Sequence, residues 1–263
     1  MKSSFMGLFT RQIDVQLRMR TLNLYSLLLW FIQPIVFSAV GMILSNAAGN
    51  PAPDLVYTVI GGGIMGMWSG LVFTSTYDIR SDRREGTLEI IVGSPTSLRK
   101  VEAIRTFSNV AAGSISLIAA FLVAVLIYKF PLSQADLLSA VISLLVILFG
   151  LWCMGVFLAN LMVWSRLSTS IVEFIEMPVA LLAGFMYPIR ILPAWMQEIS
   201  SIFPIRWGLE TLRTAIQGPA LNQETLVKWA ISIGISLIIY LLSRLLDHKV
   251  HDLIRVSGEL SSI

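Results

Sequence analysis

The chain has 263 residues, of which 56% are hydrophobic and only 13% charged, with a formal net charge of +3 and a mean hydropathy of +0.77. Soluble globular domains carry about 25% charged residues, so this composition excludes a water-soluble enzyme or binding module and points to an all-α integral membrane protein. The basic residues are divided among short pieces flanking apolar runs and form no single face, which argues against a nucleic-acid partner.

In chain order, residues 1–22 come first. Phe5, Leu8, Phe9, Ile13 and Leu17 fall near helical spacing, opposite Arg11, Asp14 and Arg18. This pattern predicts an interfacial helix, with a solvated tail as the alternative, and shows no cleavable signal. Apolar runs follow at about 24–45, 55–77, 106–128, 137–163, 171–187 and 226–243. Each approaches the ~20 apolar residues a transmembrane helix needs. No run alternates with period two, so a β-barrel is not expected. The reading is six spans. Five is the competing count, because the fifth run is short and carries Glu173, Glu176 and Pro178.

Within the first run, Pro34 frees a backbone carbonyl and can kink the helix, and Gln33 beside it needs a partner or lines a cavity. The aromatics Trp30, Phe31, Phe37, Trp68 and Phe73 read as lipid-facing or core. The second run carries Gly62, Gly66 and Gly70, a small-residue stripe for close helix packing, and Ala180 with Gly184 repeats the idea in the fifth. Residues 78–105 form the one long charged stretch. Cys153 lies inside the fourth run and reads as a buried structural thiol. Glu173 and Glu176 share a helix face near a span end. They are either gate residues paired with a base or carboxylates placed at the interface. Residues 188–225 are too polar to span and too apolar for a free loop, with two amphipathic stretches at 193–202 and 205–217. They predict an external re-entrant helical hairpin, with a surface loop as the alternative. Arg213 is expected in an exposed pair with Glu210. His248 and His251 lack further ligands and read as solvated, so no metal site is expected.

Orientation follows from Lys and Arg. With both termini cytoplasmic, residues 1–22, 78–105, 164–170 and 244–263 hold 14 of the 19 basic residues. Short basic loops stay on the cytoplasmic side.

Three sets of residues carry a family resemblance. They are Arg84-Glu85-Gly86-Thr87-Leu88-Glu89 followed by Gly93-Ser94-Pro95; Pro178 to Gly184, Pro188 and Leu192-Pro193-Ala194-Trp195; and Phe203-Pro204 with Arg213. In this order, with six apolar runs, the chain resembles the permease subunit of the ABC-2 family of ATP-driven exporters, over nearly its whole length. By length it is most similar to the drug and antibiotic exporter branch; polysaccharide and glycolipid exporters share the pattern. The resemblance implies a single transmembrane domain over 1–263 in a multi-pass cell-membrane protein. It also implies a cytoplasmic coupling helix between spans two and three, with Arg84, Glu85, Gly86, Thr87, Leu88 and Glu89 against an ATPase. Gln33, Pro34, Glu173, Glu176 and Arg213 are then expected on the translocation path or its gate. The implied partners are two copies of an ABC ATPase, a second permease subunit, identical or not, membrane lipid and a small amphipathic substrate.

The residues agree with a separate motor. The chain has no Gly-x-x-x-x-Gly-Lys-Ser/Thr phosphate loop, so ATP and magnesium are expected on the partner and no cofactor in this chain. It also lacks Gly-x-Ser-x-Gly, His-Glu-x-x-His and Glu-Glu-x-x-x-Arg arrangements, which speaks against an intramembrane enzyme. An ion-coupled secondary transporter would need paired broken helices at the midplane, and only Gln33-Pro34 hints at one.

Overall fold

The computed structural model describes residues 55–87, 98–126, 135–165, 169–185 and 188–257, with isolated positions before 55. The described residues are helical with no β-strand: α1 Leu55–Arg84, α2 Leu98–Leu126, α3 Leu137–Ser165, α4 Thr169–Leu182, a 3₁₀ turn Ile189–Ile191, α5 Ala194–Ser200, α6 Pro204–Gln217 and α7 Gln223–Ser257. Among the described residues, three stretches are long and apolar enough to cross a membrane: Lys100–Leu122, Leu137–Met162 and Gln223–Leu246. Val59–Ser75 is a shorter apolar helix segment. The interfacial helix and first span expected over 1–22 and 24–45 lie outside the described residues, apart from isolated positions.

The helices outlast the predicted spans on the polar side. α1 continues past 77 to Arg84, and α2 begins at Leu98 rather than 106. The charged stretch 78–105 is therefore largely the ends of two helices. α7 runs without a break to Ser257. At 1.5 Å per residue it is about 50 Å long, well beyond the ~30 Å hydrocarbon core. Leu237, Ile238, Leu241, Leu242 and Leu245 are exposed along it, as a face toward lipid requires.

The fifth predicted run behaves differently. α4 stops at Leu182, five residues short of 187, although Met186 and Tyr187 remain apolar. Gly184 adopts φ +69°, and Phe185 N–H donates back to Ala180 O at 3.3 Å. This left-handed turn closes a helix C-terminus in a way other residues resist. Gly184, expected as a packing residue within a span, instead ends the helix. Beyond it, prolines set each new start. Pro193 precedes α5 and Pro204 occupies its favoured place in the first turn of α6.

The core gathers Ile64, Met67, Trp68 and Leu71 of α1, Ile147 and Leu151 of α3, Phe185, and Ile205 with Leu209 of α6. α1 packs on α2, α3 and α4, while α3, α6 and α7 all pack on one another. The predicted stripe Gly62, Gly66 and Gly70 is fully buried. A Cβ on its neighbour Gly63 would lie 2.9 Å from the Ala120 Cβ, so the α1–α2 seam needs glycine there. Cys153 is buried, as expected.

Polar side chains stitch the apolar helices together. Asn160 Nδ2 of α3 donates to Ser243 Oγ of α7 at 2.7 Å. Trp152 Nε1 donates to Ala103 O of α2 at 2.9 Å. Trp229 Nε1 of α7 reaches Ser143 Oγ at 3.0 Å and Thr211 Oγ1 at 3.1 Å. Such bonds between membrane helices contribute about 0.6–2 kcal/mol each.

Candidate functional site

Two regions collect the chemistry-bearing residues. The first is the turn after α1. Arg84 and Glu85 are exposed there, and Gly86 takes φ +69°. Nothing lies within 4 Å of where a Gly86 Cβ would stand, so the turn demands glycine for its backbone and not for space. Gly86 therefore breaks the helix here. Ser81 Oγ donates to Glu85 Oε1 at 2.6 Å. Thr87 Oγ1 donates to Asp82 Oδ1 at 3.0 Å. Asp82 in turn pairs with Arg105 of α2, and Arg105 Nη1 reaches Glu102 Oε1 at 3.3 Å. The exposed turn is thus latched to the start of α2 through Thr87, Asp82, Arg105 and the buried Glu102. Sequence reading passed over this latch. Its signal was present as Glu102 and Arg105 three apart on a helix face, opposite an acid at the end of the preceding helix. Leu88 and Glu89 lie outside the described residues.

The second region surrounds α4. Glu176 is 7% exposed and lies against α1, where Ser69 Oγ donates to its carboxylate and Trp68 Nε1 donates to its backbone oxygen at 3.3 Å. Its carboxylate is thus buried at the α4–α1 contact, with the Ser69 hydroxyl as one partner. Glu173 occupies the same helix. Gln33 and Pro34 lie outside the described residues.

On the opposite flank α4 is greasy and open. Phe174, Met177 and Leu181 are exposed and face Trp195, Met196 and Ile199 of α5 across a groove of about 790 Å³. Its walls are almost wholly apolar, and methionines give them adaptable shape.

Arg213 corrects an expectation. It is 3% exposed, not a surface residue, and its guanidinium is spent on backbone carbonyls. Nη1 donates to Gly184 O at 2.9 Å and Nη2 to Phe185 O. Arg213 therefore caps the carbonyl end of α4, where the helix dipole favours a cation. Glu210 is held by Arg206 at 3.4 Å and by Lys228 at 3.4 Å. The sequence misled because Glu210 and Arg213 are three apart on α6, while the carbonyls are nearly thirty residues upstream. Gly61 completes the junction: a Cβ there would fall 1.5 Å from Phe185 O.

Asp136 was also missed. It caps α3 by accepting from Ser139 Oγ at 2.7 Å and Ser139 N–H at 3.1 Å. It also accepts from Ala220 N–H at 3.2 Å, tying the α6–α7 loop to α3. The Ser139 hydroxyl first, then these backbone donors, hold its carboxyl below the usual range. A depressed folded-state pKa stabilises the fold above the unfolded value near 4 and loses that contribution as pH falls through the folded value. Asp136→Ala should therefore melt below wild type at pH 7, and the gap should close toward pH 3. Melting curves of both proteins across that range check it.

A family model described as ABC-2 type transporter matches residues 3–216. A comparison with curated proteins finds no significant match.

Proposed function

The chain belongs to the ABC-2 type transporter family and is a membrane permease component; from this we propose that it forms the translocation path of an ATP-driven exporter and is driven by a separate ATPase. The observation that supports coupling is the exposed turn Arg84–Thr87, broken open by Gly86 and latched to α2. A motor that pushes on this turn moves two helices at once. The proposed assembly has six spans per subunit, both termini in the cytoplasm and the 188–225 hairpin outside. Two permease subunits stand over two ATPase subunits in the cell membrane, with ATP and magnesium on the ATPases.

The cargo we propose is small and amphipathic, in keeping with the drug and antibiotic exporter branch. The apolar groove between α4 and α5, lined by Met177, Trp195 and Met196, favours it. Its size lies within the range of small-molecule sites. Glu176, at the back of the same helix, is proposed as a gate residue that keeps α4 against α1.

Two experiments test this reading. Glu85→Lys reverses a charge on the exposed turn, and Gly86→Pro forbids its positive φ. Both variants should insert, with Glu85→Lys melting nearly as wild type and Gly86→Pro somewhat below it, while export falls about tenfold or more in each, measured in vesicles with the partner ATPase. Wild-type export by both variants would remove the coupling role. For topology, single cysteines at Ser81 and Gln223 in a Cys153→Ser background are probed on intact cells with an impermeant thiol reagent. Labelling at Gln223 alone is expected, and labelling at Ser81 alone inverts the orientation.

A further inference from the structure

A second cavity, of about 340 Å³, opens beside the end of α4, and its lining is polar where the groove is apolar. Among the described residues lining it, Arg190, Arg206, Arg213 and Lys228 set four cations against the single carboxylate of Glu210, and Thr214 adds a hydroxyl. Three elements converge to build it. The 3₁₀ turn brings Arg190. One face of α6 brings Arg206, Glu210, Arg213 and Thr214 at helical spacing. α7 brings Lys228.

Three of the four cations are held in place before any ligand arrives. Arg206 Nη1 donates to Gln197 O at 2.8 Å, and its guanidinium lies 4.7 Å from the Trp207 ring centroid. Lys228 is fixed between Glu210 at 3.4 Å and Glu224 at 2.7 Å. Arg213 is anchored on the α4 carbonyls. Glu210 and Glu224 offset two of these four cations, which still leaves the site with an excess of positive charge. A concave, part-buried site with such an excess concentrates field and attracts anions. Planar guanidinium forks match the oxygens of a phosphate, and an ammonium adds a point charge. The volume is at the low end for small-molecule sites, suited to a headgroup rather than a whole lipid or drug.

We propose that this cavity binds a phosphate-class anionic headgroup, in the form of a glycerophosphate. The same chemistry reaches it from two sources, an anionic phospholipid of the surrounding leaflet or a soluble phosphate ester. In the proposed topology the cavity is external, so the phospholipid would come from the outer leaflet.

The test uses the full chain and reads binding without ATP or transport, so its failure would leave the exporter reading standing, and loss of the exporter reading would leave this one. Purified protein is reconstituted in nanodiscs of phosphatidylcholine with equal phosphatidylglycerol, released into mild detergent, and its retained lipids are counted by native mass spectrometry. In parallel, glycerol 1-phosphate, inorganic phosphate and chloride at matched ionic strength are titrated while melting is followed. The variants are Arg190→Gln, at an exposed position, and Arg190→Gln with Lys228→Gln. Wild type should retain phosphatidylglycerol over phosphatidylcholine by about tenfold, and the double variant should lose most of that preference, since one charge-assisted contact accounts for about a tenfold change. A preference confined to lipid identifies the leaflet as the source. Stabilisation by glycerol 1-phosphate beyond chloride, absent in the double variant, identifies a soluble ester. Equal retention of both lipids with no effect of phosphate beyond chloride overturns the proposal, as does any effect of equal size in wild type and both variants. Should the double variant fail to fold, Arg190→Gln alone decides: an unchanged preference overturns the proposal.

Discussion

Replacing Arg213 with alanine should lower the melting temperature of the purified protein markedly. The side chain is almost fully buried and donates two charged hydrogen bonds to the carbonyls that end α4. Hydrogen bonds to charged groups contribute about 1.5–3 kcal/mol each, and removing the donor leaves buried acceptors unsatisfied. A total loss of about 3–5 kcal/mol follows, near the upper end for a single substitution. Arg213→Lys keeps the charge but has no planar fork, and should recover about half. Limited proteolysis adds a local readout, because cleavage between 183 and 193 should rise in the alanine variant before cleavage elsewhere does. A melting temperature unchanged from wild type in the alanine variant would show that the α4 terminus is held by other means.

Arg105→Ala should do comparable damage at the other end of the molecule. Arg105 stands between Asp82 and Glu102, whose side chains are only 12% and 2% exposed. Removing one partner from a buried ionic group leaves uncompensated charge and costs about 3–5 kcal/mol. The network predicts its own partial rescue. Arg105→Gln with Asp82→Asn replaces the ion pair by a neutral one, and should melt above Arg105→Ala. A double-mutant cycle over Asp82 and Arg105, read by thermal denaturation, should give a coupling energy above ~1 kcal/mol. A coupling near zero would mean that the pair is screened by water and that Thr87 is not tied to α2.

The parts of this structure legible in the sequence were those that depend on local chemistry. Hydropathy located α2, α3 and α7 because an apolar run of that length has little choice but to form a helix. The amphipathic stretches 193–202 and 205–217 foreshadowed α5 and α6, which start at Pro193 and Pro204 because a fixed φ and a missing N–H suit the start of a helix. What was not legible depends on partners distant in the chain. Nothing apolar or polar about Ala183-Gly184-Phe185 announces that the helix stops there, since Met186 and Tyr187 carry the hydropathy onward. The stop is made by a backbone angle and by an arginine on a later helix. Pairing rules for helices suggested Glu210 for Arg213. The carbonyls prevail because a helix terminus buried beside a guanidinium satisfies both groups, whereas Glu210 already has Arg206 and Lys228. Asp136 lay at the edge of an apolar run, where an acidic cap reads as ordinary loop composition until Ala220 is seen to use it as well.

The contact between Gly61 and the carbonyl of Phe185 has a mechanical consequence. The oxygen sits where a side chain on α1 would begin, and the same oxygen is gripped from α6 by Arg213. Three elements therefore meet at one atom. A joint of this kind resists translation, because sliding α1 lengthwise would carry the oxygen toward the side chains one turn away on the same face, Ile64 and Met65, or beyond the reach of the guanidinium. It resists rotation of α1 as well, since turning the helix would bring the side chain of Ile60 toward the oxygen. The positions of α1, the end of α4 and α6 are thereby tied together at one point, so a displacement of any one of these elements has to be shared by the other two.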